Sequence, residues 1–129
     1  MAFTHTLTSS INNGAGSVSR SVSFTGDARD SRVIAVPTPS TDLLVNIAID
    51  VDQIKSLYIV ADQDLTLETN NSAAPDNTIA LKANKPFIYW TTSYYYVSVL
   101  TVDVTKIYVT NASGTAATLY IELLQDSTP

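Results

Sequence analysis

The sequence predicts an all-β fold: a single-domain antiparallel β-sandwich, jelly-roll-like, with an extended N-terminal arm. Three observations carry that prediction. Apolar and polar residues alternate at a period of two in segments spread from one end of the chain to the other, which places one set of side chains on each face of a strand. Gly, Asn, Asp and Pro interrupt these runs at short intervals, as the turns of a sandwich or barrel do. Nothing repeats convincingly at the 3.6-residue period of an amphipathic helix; only residues 50–57 have room for one helical turn.

Taken in order, Phe3, His5 and Leu7 alternate with Thr4, Thr6 and Thr8. This is an N-terminal arm or edge strand, assigned to residues 1–17, ahead of a sandwich domain over 18–126. Ile11 to Ser17 contains Asn-Asn-Gly-Ala-Gly, a loop or hairpin turn. Val18, Val22 and Phe24 sit among serines, and Gly26-Asp27 marks the next turn. Arg32 to Val36 is a short strand ended by Pro37-Thr38-Pro39, because proline supplies no ladder donor. Leu43, Val45, Ile47, Ile49 and Val51 give the cleanest alternation. Leu57 to Val60 is continuously apolar, as in a central strand covered on both faces. Leu65, Leu67 and Thr69 form the next strand, and Asn70 to Asn77 is a polar loop.

Thr78 to Leu81 is a short strand, and Asn84-Lys85-Pro86 turns the chain into Phe87-Ile88-Tyr89-Trp90. Tyr94 to Val104 reads as a long β-branched and aromatic segment. Ile107 and Val109 lead into Asn111-Ala112-Ser113-Gly114, a hairpin signal, and Leu119, Ile121 and Leu123 complete the last strand. The sum is roughly nine to eleven strands with turn signals about every 8–12 residues. Asp52-Gln-Ile-Lys-Ser-Leu-Tyr-Ile-Val echoes Asp103-Val-Thr-Lys-Ile-Tyr-Val; two similar strands in two different sheets account for such a pair.

Composition narrows the function. Only 15% of residues are charged, whereas Ser and Thr supply 31 of the 129. A polar surface of low charge is less costly to desolvate, which suits a protein covered by neighbours; Thr is also simply a good strand residue. The net charge is −5 and the few cations are scattered, so the clustered Lys and Arg that displace counterions from nucleic acid are absent. There is no cysteine, hence no disulfide, thiolate metal site or thiol nucleophile. No apolar run approaches a membrane span, and the N-terminus lacks a basic region followed by an apolar one. The expectation is a protein made in the cytoplasm, with no nucleic-acid partner and no membrane partner.

Candidate chemistry is sparse. His5 is the sole histidine, and in an alternating arm it is poorly placed to be a preorganised base. No cavity gathering His5 with a carboxylate and a serine is expected, and the chain is read as not an enzyme, with no cofactor and no metal. Asp62 and Asp64, and Asp27 and Asp30, fall in turns. Calcium favours such groupings, but Asp also ends strands and makes turns of its own.

The aromatic group is more pointed. Tyr89, Trp90, Tyr94, Tyr95 and Tyr96 fall within eight residues, and neighbours on a strand face opposite sides. Core packing, a protein interface and a sugar platform all use such rings. With Phe3 and His5 of the arm, these five tyrosine and tryptophan residues are the candidate interface.

The segments Ile54-Lys-Ser-Leu-Tyr-Ile-Val-Ala-Asp-Gln-Asp-Leu-Thr-Leu-Glu-Thr-Asn, Asn84-Lys-Pro-Phe-Ile-Tyr-Trp and Ile107-Tyr-Val-Thr-Asn-Ala-Ser-Gly-Thr-Ala-Ala-Thr-Leu-Tyr-Ile resemble the small β-sandwich and jelly-roll structural proteins of tailed bacteriophages, head decoration or cement proteins above all. The resemblance spans about residues 50–125 and is one of sequence style, so it transfers no individual residue roles. It implies a virion protein on the capsid exterior, homo-oligomeric as a trimer or as dimers, whose partner is the major capsid protein or another virion protein. A tail, neck or baseplate component, or a carbohydrate-binding sandwich, are the alternatives.

Overall fold

The computed structural model describes residues 2–94 and 98–127. Among these, ten strands form: β1 Phe3–Asn12, β2 Ser17–Gly26, β3 Ala28–Val36, β4 Ser40–Ile49, β5 Ile54–Ala61, β6 Leu65–Thr69, β7 Thr78–Leu81, β8 Phe87–Trp90, β9 Val104–Asn111 and β10 Ala117–Gln125. The last eight make two four-stranded antiparallel sheets, ordered β3-β10-β5-β8 and β4-β9-β6-β7. Apart from the β6–β7 hairpin, every connection among them crosses from one sheet to the other. This is jelly-roll order. Strands β1 and β2 pair only with each other, as a separate two-stranded ribbon.

The core between the sheets follows the alternation. Val45, Ile47 and Ile49 of β4, Leu57 and Ile59 of β5, and Leu119, Ile121 and Leu123 of β10 are all buried in one cluster. The echo segments are β5 and β9, one in each sheet. In both, the residues beside the tyrosine (Leu57 and Ile59, Ile107 and Val109) are buried, and Tyr58 and Tyr108 turn away. The facing surfaces of the two sheets therefore enclose one apolar layer, as sheet-on-sheet packing demands.

Local chemistry sets the boundaries. The one helical turn among the described residues, Val51–Gln53, is capped by Asp50, whose side chain accepts from the Asp52 amide. Asn111 ends β9 fully buried, donating to the carbonyls of Val36 (3.1 Å) and Thr115 (2.9 Å) and accepting from the Ser113 amide (3.0 Å). It thereby joins β3 to the β9–β10 turn, where Gly114 takes φ +87°, a conformation glycine adopts without strain.

One segment departs from its sequence pattern. Tyr94 to Val104 has strand-like composition, yet residues 98–103 are irregular and β9 begins only at Val104. Side chains have taken over the ladder bonds: Ser98 Oγ accepts from the Leu100 amide (3.0 Å) and Asn77 Oδ1 from the Thr101 amide (3.0 Å). Such local bonds compete directly with strand pairing, while Leu100 still contributes to the core.

Candidate functional site

The ribbon is the part of the molecule that the sandwich does not explain. Its pairing puts Thr4, Thr6, Thr8, Ser10 and Asn12 opposite Thr25, Ser23, Ser21, Ser19 and Ser17. Hydroxyls meet across that face, Thr6 with Ser23 at 3.0 Å and Thr8 with Ser21 at 2.9 Å. The other face carries His5 opposite Phe24, Leu7 opposite Val22, Ser9 opposite Arg20, and Ile11 opposite Val18. The two strands thus form a two-faced ribbon of about 30 Å at ~3.3 Å per residue. Its turn is tight because Asn13 Oδ1 accepts from the amides of Ala15 and Gly16, both at 2.9 Å, and Gly14 adopts φ +86°.

The root of the ribbon is fixed to the outer face of the β3-β10-β5-β8 sheet. Phe24 is buried against Trp90, with ring centroids 6.2 Å apart. His5 Nδ1 lies 3.3 Å from Ser56 Oγ on β5. The Arg29 guanidinium sits 4.8 Å from the centroid of the Phe3 ring, a cation–π contact. A Cβ on Gly26 would fall 2.3 Å from the Gln125 carbonyl oxygen, so only glycine fits where the ribbon turns into β3. Beyond the root the apolar face emerges: exposure rises from 8% at Phe24 to 36% at Val22, 58% at Val18 and 68% at Ile11.

Between ribbon and sheet lies a cleft of about 450 Å³ whose lining includes His5, Leu7, Ser56, Tyr58, Ile88 and Glu122. This corrects the expectation that no cavity gathers His5 with a serine and a carboxylate. The reason is topological: the ribbon folds His5 onto β5, and β10 lies beside β5 in the sheet. The three groups are not linked as a relay, however. His5 meets Ser56, whereas the Glu122 carboxylate accepts from Ser31 Oγ on β3, on the far side of β10. A Ser-His-Asp/Glu triad places its carboxylate on the second ring nitrogen of the histidine.

The candidate aromatic residues separate. Tyr89 turns inward against the core, Trp90 outward beneath Phe24, and Tyr94 is exposed. Tyr95 and Tyr96 lie outside the described residues. Phe3, His5 and Trp90 lie at the ribbon root, and Tyr89 borders the cleft that His5 and Phe24 also line. The turn aspartates are spent on structure. Asp62 Oδ1 accepts from the Thr118 amide and Asp64 Oδ1 from the Ala83 amide, both at 2.8 Å. The Ala83 bond, with Lys82 nearby, holds the Asp64 carboxyl below its ordinary pKa. Asp27 binds the hydroxyl and amide of Ser127, which lowers its pKa too. Asp30, expected in a turn, instead lies within β3, where it pairs with Arg32 at 2.6 Å and keeps that guanidinium protonated more firmly still. Among the described residues no three His, Cys, Asp or Glu side chains converge as a metal site.

Sequence reading missed the residues that matter most at the surface. The sequence places Ile11 in a loop and Val18 in a run among serines, whereas the structure puts Ile11 in β1 opposite Val18, both on the face of Leu7 and Val22. Val33 and Tyr120, a cross-strand pair on the outer sheet face, were hidden inside apolar runs. The chain matches no family model, no curated protein and no solved structure.

Proposed function

We propose that the chain is a structural protein of a virus particle, attached to the capsid exterior as a head decoration or cement protein. The observation that carries this reading is the ribbon: rooted on the sandwich, hydroxyl-lined on one face and apolar on the other, with its tip uncovered. An isolated two-stranded hairpin is marginal in water, so an apolar ribbon tip is a device for engaging another protein. The jelly roll supports the reading by analogy alone, because that fold serves capsid proteins and also lectins and cupins. The low charge of the surface adds to it, since few ions need be stripped of water when neighbours close over it.

The mechanism is mass action. A protein that binds the assembled shell and not its separated subunits stabilises the shell, and many copies at symmetric sites make a weak contact effective. No reaction is part of this reading, because the carboxylate in the cleft is bonded away from His5. Trp90 lies against Phe24, which disfavours a sugar platform. The test uses particles assembled without this protein, from the genome that encodes it. Purified chain added to them should pellet with them to a saturating ratio and raise their disruption temperature. A chain that stays in the supernatant at every ratio contradicts the proposal.

A further inference from the structure

We infer that the ribbon tip docks on a second copy of this chain, against the outward row Val33–Tyr120–Val60. The inference rests on the reading of the protein as an assembling subunit and names the surfaces by which it joins itself. The register sets Tyr120 of β10 between Val33 of β3 and Val60 of β5. Their neighbours Ile34, Leu119, Ile121, Ile59 and Ala61 face the core, so these three point outward. Val33 is 72% and Tyr120 43% exposed. The uncovered apolar features of the described residues thus include the Ile11–Val18 pair at the ribbon tip and this row on the sheet.

The molecule already shows that the two kinds of surface fit. The same ribbon face, at His5 and Phe24, packs on the same outer sheet face, at Ser56 and Trp90. The row continues that face, and the tip continues that ribbon. Charge agrees with the pairing. Residues 1–26 hold one cation, Arg20, and no carboxylate, whereas the remainder holds all twelve Asp and Glu against six Lys and Arg. Arg20 stands on the apolar ribbon face beside Ile11–Val18. Glu122 lies two residues from Tyr120 on the same exposed face of β10.

A single tip on a single row buries little, well below the roughly 1,200 Å² of a stable interface. The contact therefore becomes stable when each copy both gives a tip and receives one, in a reciprocal pair or a closed ring.

The test pairs two double variants at exposed positions. Ile11→Asp/Val18→Asp removes the tip and keeps the row; Val33→Asp/Tyr120→Asp does the reverse. Wild-type chain should sediment as a dimer or closed ring, and each variant alone at the 13.9 kDa of one chain. Mixed together, the two variants should form at most a heterodimer much weaker than the wild-type assembly, because only one tip then meets one row. The absence of cysteine allows a direct check: a chain with Ile11→Cys should form a disulfide with a chain carrying Tyr120→Cys upon oxidation, and not with a Thr78→Cys chain on the other sheet. A monomeric wild type, oligomeric variants or indiscriminate cross-linking overturns the inference. Tip variants that stay oligomeric but no longer pellet with particles reassign the tip to a capsid partner; a monomeric wild type that still pellets with particles overturns the inference and leaves the proposed function standing alone.

Discussion

Phe24 on β2 and Trp90 on β8 lie with ring centroids 6.2 Å apart and planes inclined at 44°, and through this pair the ribbon is joined to the sandwich. The pair is separate from the main core, to which neither ring belongs. Phe24→Ala should therefore release the ribbon without unfolding the jelly roll. The expected loss is about 3 kcal/mol of ribbon docking, typical of a buried phenylalanine. Hydrogen exchange should quicken at amides of β1 and β2 while those of β10 stay protected. Trp90 is the sole tryptophan, so its emission should shift to longer wavelength in the same variant.

Asn111 illustrates a different kind of weak point. It is a fully buried polar side chain with every partner on the backbone or on Ser113. Asn111→Ala leaves the buried Val36 carbonyl and the Ser113 and Thr115 groups of the β9–β10 turn without these bonds, at a cost of about 3 kcal/mol. Urea unfolding should show a lower midpoint with unchanged slope. An unchanged midpoint would mean that water replaces the amide without loss.

Gly26 marks the closest approach of ribbon root to body. A methyl group there meets the Gln125 carbonyl oxygen, and backbone cannot yield as a flexible side chain does. Gly26→Ala should cost about 1–3 kcal/mol and speed exchange at the Asp27 amide, which now bonds Gln125 O at 3.0 Å.

Acid should weaken the fold through two carboxylates. Asp27 and Asp64 are held below their ordinary value of 3.8, by Ser127 and by the Ala83 amide respectively. A lowered pKa contributes stability that is present above the unfolded value and is lost as pH falls through the folded one. Stability measured by urea midpoint should therefore fall below about pH 3.8, and the fall should be shallower in Asp27→Asn and Asp64→Asn. Both groups are exposed, so the effect is small and reduced by salt.

Much of the sandwich was legible because burial on one face forces alternation. Leu119, Ile121 and Leu123 are wholly buried, as are Ile47 and Ile49, and their spacing alone reveals it. The pairing order was not legible: Leu119 meets Ala61 on one side and Ile34 on the other, and nothing local encodes such distant partners. The pattern from Tyr94 to Val104 misled because side-chain bonds from Ser98 and Asn77 outcompete a ladder, and propensity does not register them. The ribbon faces were readable once the turn at Asn13–Gly16 was fixed. What covers Trp90 was not, since alternation tells only that Tyr89 and Trp90 point apart.

Where the protein resides is the most direct test of a decoration role. Particles produced by the genome that encodes it should be purified to constant density, their proteins quantified, and antibody against this chain located on them by electron microscopy. The expected result is a fixed ratio to the major capsid protein and label over the head exterior. Particles that carry none of the chain contradict it, and label confined to tail, neck or baseplate contradicts the decoration role.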